Sequence, residues 1–273
     1  MESINHFNRP LQVSTITACA NANNVVIDLP NIYKNLDISD TIRYIELGNS
    51  NKGFAQKNNK KKRKKKPIKQ FFNQLTLIIY CMSYNKLVNV KIFLSGAIQL
   101  TGLKSRLGAT KIINYCQYII NSIAENNRDD TVIKFTEKHT DKLIYSPPKI
   151  VLINSDFALF SNESNTINRN ELYKIIINDT RVFASYEPCI YPGVNIKYYY
   201  NRYNTKEDGI CYCEDKCVGK GRSLLDCKRV TIVVFQSSKV IITGANNYNQ
   251  LMMAFIWIKK LVFKNIDKIL VKH

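Results

Sequence analysis

Displaced by 142 residues, the chain falls on itself. Ile92–Gly102 (IFLSGAIQLTG) lies on Val234–Gly244 (VFQSSKVIITG) without a gap. Phe93 meets Phe235, Ser95 meets Ser237, Thr101 meets Thr243 and Gly102 meets Gly244. Each copy is an apolar run, a tight turn and a second apolar run, the pattern of a β-hairpin. A chain that says this twice must fold each half on the same plan.

The matches continue on both sides. After the first hairpin, Leu107, Ile112, Ile113, Cys116, Ile119, Ile120 and Ile123 recur at helical spacing. After the second, Leu251, Ala254, Phe255, Ile258, Leu261 and Val262 do so. Each set predicts one apolar stripe on a long amphipathic helix, with Ser105 and Asn247 placed as N-caps. Upstream, Phe72–Ile79 (FNQLTLII) aligns with Tyr191–Tyr198 (YPGVNIKY) at an offset of 119, so the second copy holds 23 extra residues between the blocks. Each copy opens with a strand-like run, Leu11–Ala20 and Lys149–Phe160. A short helix follows each, signalled by Asp28 before Leu29-Pro30 and by the run Asn168–Ile176.

The chain therefore divides into a tail (1–10), a first repeat (11–124) with an insertion at 49–70, and a polar connection (125–148) that ends in Pro147-Pro148. A second repeat (149–265) follows, with an insertion at 204–228, and then a C-terminal tail (266–273). Each half has helices for only one face of its sheet. An antiparallel sheet can leave the other face to solvent or to a partner, and a large open face of apolar and hydroxyl side chains marks a binding surface. The expected fold is α+β, a curved antiparallel sheet in two pseudo-twofold halves with helices on its convex side.

Ser185–Tyr200 (SYEPCIYPGVNIKYYY), followed by Val233–Ala245 (VVFQSSKVIITGA), resembles the second repeat of the TATA-box-binding protein (TBP) family. That motif runs Tyr-Glu-Pro, two residues, Phe-Pro-Gly, then Phe-x-Ser-Gly-Lys-x-x-x-Thr-Gly-Ala. Ile92–Ser105 resembles the first-repeat version, ending Thr-Gly-x-Lys-Ser. The resemblance covers most of residues 11–263. The basic and cysteine-containing insertions look like those of divergent TBP-like proteins of large cytoplasmic DNA viruses. It implies a saddle and a transcription initiation factor. Such a factor binds A·T-rich promoter duplex in the minor groove as a monomer, bends it, and recruits general transcription factors or RNA polymerase. This family is itself the type example of minor-groove bending by inserted side chains, so that mechanism comes with the resemblance and not from these residues alone. The implied setting is intracellular: the host cytoplasm, the nucleus, or packaging in the virion.

Carried over by motif, the wedges are Tyr191 and Phe235 in the second half and Phe93 in the first. Phe72 fits the repeat spacing as the fourth, with Phe71 and Phe54 as alternatives. Thr101 and Thr243 match the family's groove-facing Thr. By strand alternation Gln99 and Ile241 share their face, while Leu100 and Ile242 turn to the helices. The sequence also departs from the family. The central Asn pair is not cleanly present, with Val13 at the matching place in the first strand and Asn154 out of the expected register. Tyr replaces Phe at 191, and Ser238 replaces the turn Gly.

The net charge of +19 favours a polyanionic partner, nucleic acid or an acidic membrane surface. Much of it sits in Lys57–Lys69 (KNNKKKRKKKPIK), where Lys61, Lys62, Arg63 and Lys64 are placed to contact phosphates without reading sequence. A nuclear localisation signal is the rival reading of that run. No apolar stretch reaches the roughly 20 residues of a membrane span, and the first residues lack a signal-peptide pattern, so the protein is expected to be intracellular. Of the two polyanions nucleic acid is the expected partner, and no membrane.

Cys211, Cys213, Cys217 and Cys227 are half of the chain's eight cysteines. Their thiolates could hold a structural zinc ion. Free thiols and disulfides are the alternatives, and no cofactor is otherwise required. Cys19, Cys81, Cys116 and Cys189 read as small core hydrophobes. The three histidines, His6, His139 and His273, are scattered. The acidic pairs Asp129-Asp130 and Glu214-Asp215 lie in charged loops. No acid–base constellation emerges, so a binder is expected, not an enzyme. Two further readings stay open: a protein-interaction subunit on the same fold without DNA bending, and a single-strand nucleic-acid binder.

Overall fold

The computed structural model describes residues 10–53, 73–126, 132–135, 142–161, 164–203, 206–214, 217–221 and 226–272. Two compact units form, one from residues 16–151 and the other from residues 1–15 together with 152–273. Both are antiparallel α+β structures, and their elements recur in the same order.

In the first unit, β1 (Gln12–Asn21) is followed by the short β2 (Val25–Ile27), α1 (Leu29–Asn35), β3 (Ile42–Leu47) and β4 (Ser50–Gly53). Then come β5 (Gln74–Cys81), β6 (Lys86–Phe93), β7 (Ala97–Leu103), α2 (Arg106–Asn126) and β8 (Ile133–Phe135). The sheet order is β4-β3-β5-β6-β7-β1. In the second unit, β9 (Lys149–Ala158) leads to β10 (Thr166–Ile167), α3 (Arg169–Ile175), a turn of π-helix at Ile176–Thr180, and β11 (Phe183–Ser185). Next are β12 (Val194–Tyr200), β13 (Lys228–Val234), β14 (Lys239–Ala245), α4 (Tyr248–Lys264), α5 (Ile266–Ile269) and β15 (Leu270–Val271). The order there is β11-β12-β13-β14-β9. In both units the opening strand returns to lie beside the last strand of the hairpin, which the repeat alone does not reveal.

Local chemistry sets the helix starts. Asp28 accepts from the Asn31 N–H at 3.0 Å, Ser105 from Gly108 at 3.1 Å, Asn168 from Glu171 at 3.2 Å and Asn247 from Gln250 at 3.0 Å. Each satisfies a donor that the first helical turn leaves unpaired. The long helices then bury the expected stripes: Ile112, Ile113, Cys116, Ile120 and Ile123 on α2, and Leu251, Ala254, Ile258 and Val262 on α4. Leu107 is 66% exposed in the first turn of α2, and Ile119, Phe255 and Leu261 of the expected stripes are half-buried. The facing strand positions are equally dry. Leu75, Leu77 and Ile79 correspond at the 119 offset to Val194, Ile196 and Tyr198, and all six are buried. Tyr198 packs on Trp257 of α4 with centroids 5.6 Å apart, and Phe157 of β9 packs edge-on to Phe255 at 4.7 Å.

Two stretches read as a connection and a tail carry regular structure. The connection 125–148 contributes β8, which pairs with β2, and buries Val132, Leu143 and Tyr145 in the first unit. Asn121 of α2 bonds Leu143 through both its amide groups, at 2.8 and 3.0 Å. The expected tail 266–273 instead forms α5 and β15, which pairs with β10. Residues 11–15, the start of the first strand, cluster with the second unit. Among the other cysteines, Cys81 and Cys116 are buried, but Cys189 is exposed in the turn before Tyr191 and Cys19 is half-buried. Those two are therefore not core residues.

Candidate nucleic-acid interface

In the hairpin strands β7 and β14, alternation gives a dry side and an open side. In β7, Ile98 and Leu100 are buried, Gln99 is half-buried and Thr101 is exposed. In β14, Val240 and Ile242 are buried while Ile241 and Thr243 are half-buried. The four residues read onto the binding face thus lie away from the core.

Pairing registers show which residues join them. In the first unit Thr101 lies between Thr17 and Asn89, and Gln99 lies between Cys19 and Lys91. Phe93, half-buried at the end of β6, pairs with Gln74 and shares the open side with Lys91. In the second unit Thr243 pairs with Thr231, which pairs with Lys197, and Ile241 lies between Val233 and Asp156. Asn89 and Thr231 are repeat-related, as are Lys91 and Val233. Sequence reasoning missed this second row, although hairpin alternation from Thr101 and Thr243 would have found it.

The polar groups of the second unit are tied to one another. Lys197 Nζ donates to Thr231 Oγ1 at 3.2 Å, and Thr243 Oγ1 donates to Asn154 Oδ1. Asn154, out of register by motif, is therefore the partner of the motif's own Thr. Asp156 accepts from Ser14 Oγ and lies 3.6 Å from Lys239 Nζ. Burial, and then the neighbouring Arg229 charge, hold the Lys197 ammonium below its usual range.

Tyr191 and Phe235 come together. Their ring centroids are 5.9 Å apart with planes at 60°. Gly193 makes this contact achievable: a Cβ there would lie 3.2 Å from a carbon of each ring and 2.4 Å from Val233 Cγ1. Tyr191 keeps 43% of its surface exposed. Its N–H bonds the Glu187 carbonyl at 2.8 Å, closing the turn that presents it.

Arg169, the first residue of α3, holds the two aromatic loops in place. Its guanidinium donates to the Pro192 carbonyl and, at 2.9 Å, to Gln236 Oε1. It also stacks over Tyr186 at 5.4 Å. One planar fork thereby joins the turn carrying Tyr191 to the turn after Phe235, a geometry suited to arginine and not to lysine. No motif signalled it. Phe72, its alternatives Phe71 and Phe54, and the basic run with Lys61, Lys62, Arg63 and Lys64 lie outside the described residues.

The turn position itself differs between copies. Gly96 and its counterpart Ser238 both adopt positive φ, 78° and 61°. At Gly96 a Cβ would meet the Ala22 carbonyl oxygen at 2.5 Å, so only glycine fits. The second copy has room for a side chain, and Ser238 accepts the left-handed conformation there.

No family model matches the chain. It is similar to a TATA-box-binding protein-like protein of Acanthamoeba polyphaga mimivirus, with 28% identity over 270 residues. That match takes in 95% of this chain, which spans 66% of the viral protein's own length. Among solved structures it is similar to Methanococcus jannaschii TBP, with a TM-score of 0.47 and 19% identity, covering 93% of this chain and 98% of that one. The resemblance read from the motifs is thereby borne out, and it extends to a viral TBP-like protein along nearly the whole chain.

Proposed function

We propose that this chain is a TBP-like transcription initiation factor. It binds A·T-rich promoter duplex in the minor groove through the open sides of its strands, bends it, and leaves its helices to engage transcription machinery. The observation that carries the reading is the Tyr191–Phe235 pair, an aromatic cluster held half out of the protein at the edge of a sheet whose other large apolar side chains are mostly buried. Aromatic groups so placed can part a base step, at a cost of a few kcal/mol that is offset by the wider contact a bent duplex allows. Phe93 is the repeat-related residue of the first unit, and Phe72 is proposed as the fourth wedge from repeat spacing alone.

The hydroxyl and amide groups suit an A·T minor groove, whose edges present only acceptors. Because Thr243 donates to the Asn154 carbonyl oxygen, the Asn154 amide N–H groups are oriented as donors. Thr101, exposed in the first unit, offers a hydroxyl directly. Gln99 and Ile241 flank these positions, and the basic run at Lys61, Lys62, Arg63 and Lys64 supplies phosphate contacts. On this reading the hydroxyl, amide and aromatic groups serve recognition.

Selection from random duplex, followed by circular-permutation analysis of the winners, tests the reading. The expected result is an A·T-rich element bent by the wild-type chain. The double substitution Tyr191→Ala, Phe235→Ala abolishes the bend and leaves weak, salt-sensitive binding. Unchanged bending by that variant, or a preference for single strands over duplex, overturns it.

A further inference from the structure

The connection between β12 and β13 runs from Asn201 to Cys227, far longer than most loops in compact domains. Among its described residues, Tyr203, Tyr212 and Val218 are 58, 53 and 61% exposed. It nevertheless docks on both strands it connects. The Tyr199 N–H bonds the Gly209 carbonyl at 2.9 Å, and Gly209 lies against the Tyr198 ring, where a Cβ would stand 2.5 Å from Cδ2. On the other side the Arg229 N–H bonds the Gly219 carbonyl at 2.8 Å, the Gly221 N–H bonds Cys227 at 3.0 Å, and Lys220 bridges to Lys228. Among the described residues no buried apolar cluster ties the two docked ends together.

Between them lie four thiols. The Sγ atoms of Cys211, Cys213, Cys217 and Cys227 are all within 4.8 Å of one another. Four sulfurs around one tetrahedral zinc ion, each at about 2.3 Å, stand about 3.8 Å apart, so the cluster needs only small side-chain rotations to become a coordination shell. The Cys213 and Cys227 sulfurs are 3.4 Å apart, well beyond a disulfide bond. The sulfurs also have donors behind them. The Gly219 N–H points to Cys217 Sγ at 3.3 Å, and Asn201 Nδ2 points to Cys227 Sγ at 3.8 Å. Such outer hydrogen bonds orient metal-bound thiolates. An all-sulfur tetrahedron selects a soft ion and excludes calcium or magnesium, and four protein ligands leave no open position for catalysis.

We propose that these cysteines bind one structural zinc ion that closes the β12–β13 connection. Binding releases up to four thiol protons and leaves a doubly negative Zn(Cys)4 centre. The site is independent of DNA binding, so it stands or falls separately from the proposed function.

The full-length chain, purified under reducing conditions with zinc in the medium, should carry one zinc per chain after gel filtration. Replacement by cobalt(II) should give tetrahedral d–d bands and thiolate-to-cobalt charge transfer. Cys217→Ser and Cys211→Ser should lose the ion, while Cys189→Ser keeps it. Stripping the ion from the wild-type chain should expose residues 201–227 to protease. Substoichiometric zinc with no cobalt–thiolate band, iron in place of zinc, or a Cys213–Cys227 disulfide in the freshly purified chain overturns the assignment. The wild-type measurements decide the matter even if the serine variants fail to fold.

Discussion

Arg169→Ala is the sharpest test of how the aromatic edge is held. The substitution removes two charge-assisted hydrogen bonds, to the Pro192 carbonyl and Gln236 Oε1, and the stacking on Tyr186. Hydrogen bonds to charged groups contribute about 1.5–3 kcal/mol when buried. Arg169 is half-buried, so about 0.5–1 kcal/mol each is the fitting figure after solvent screening. The cation–π contact adds about 0.5 kcal/mol at such exposure. Together these give about 2 kcal/mol, or about 30-fold in a local opening equilibrium, since 1.4 kcal/mol is tenfold. The N–H groups of Ile190 and Tyr191, bonded to the Glu187 carbonyl at 2.9 and 2.8 Å, report that opening by hydrogen exchange. Arg169→Lys keeps the charge but not the fork, and its exchange should fall close to that of the alanine variant. Exchange within twofold of wild type for Arg169→Ala, or full retention of protection by Arg169→Lys, refutes the clasp. If Arg169 instead contacts a phosphate, the alanine variant lowers the log–log salt slope of DNA binding by about 0.9; a clasp leaves that slope unchanged.

Ser238→Gly should stabilise the chain by up to about 1 kcal/mol in denaturant unfolding, because it relieves a left-handed residue. Gly96→Ser should destabilise it by more, because its Cβ meets a carbonyl oxygen at 2.5 Å; equal effects would contradict the asymmetry. Lys197→Met should raise the melting temperature at neutral pH. Burial, and then Arg229, depress the folded ammonium below its ordinary 10.5, so its charge opposes folding until pH rises through that depressed range. The advantage should shrink in alkali, and a pH-independent gain would point to packing instead. At pH 8 iodoacetamide should label Cys189 and spare Cys116, whose thiol burial pushes up from 9.0 to about 12. Because the folded value exceeds the unfolded one, that contribution to stability holds below pH 9 and declines above it. Labelling of native Cys116 at the rate of Cys189 would contradict its burial.

The repeat, the long helices with their caps, and the placing of Gln99, Thr101, Ile241 and Thr243 off the core were legible in the residues. Each rests on short-range rules: a 3.6-residue or two-residue period, and a side chain that caps the turn beside it. The thiol cluster was half legible. The spacing of Cys211, Cys213, Cys217 and Cys227 showed that they were near neighbours in the chain, but four sulfurs within 4.8 Å is a property of the folded loop.

Other features depend on residues far apart in the chain. Arg169 joins Pro192 to Gln236, Thr243 meets Asn154, and Asn121 secures Leu143. No local pattern encodes those pairs, because each exists only once strand register and helix docking have fixed both partners. The polar composition of 125–148, and the place of 266–273 beyond the repeat, misdirected the reading for the same reason. A few apolar residues there, among them Val132, Leu143 and Ile269, find burial against surfaces built elsewhere. Sequence alone determined the dry side of the long helices and of β7 and β14, because that follows from periodicity. Tertiary structure decided which distant groups meet on the side left open, because contact there depends on where the chain returns.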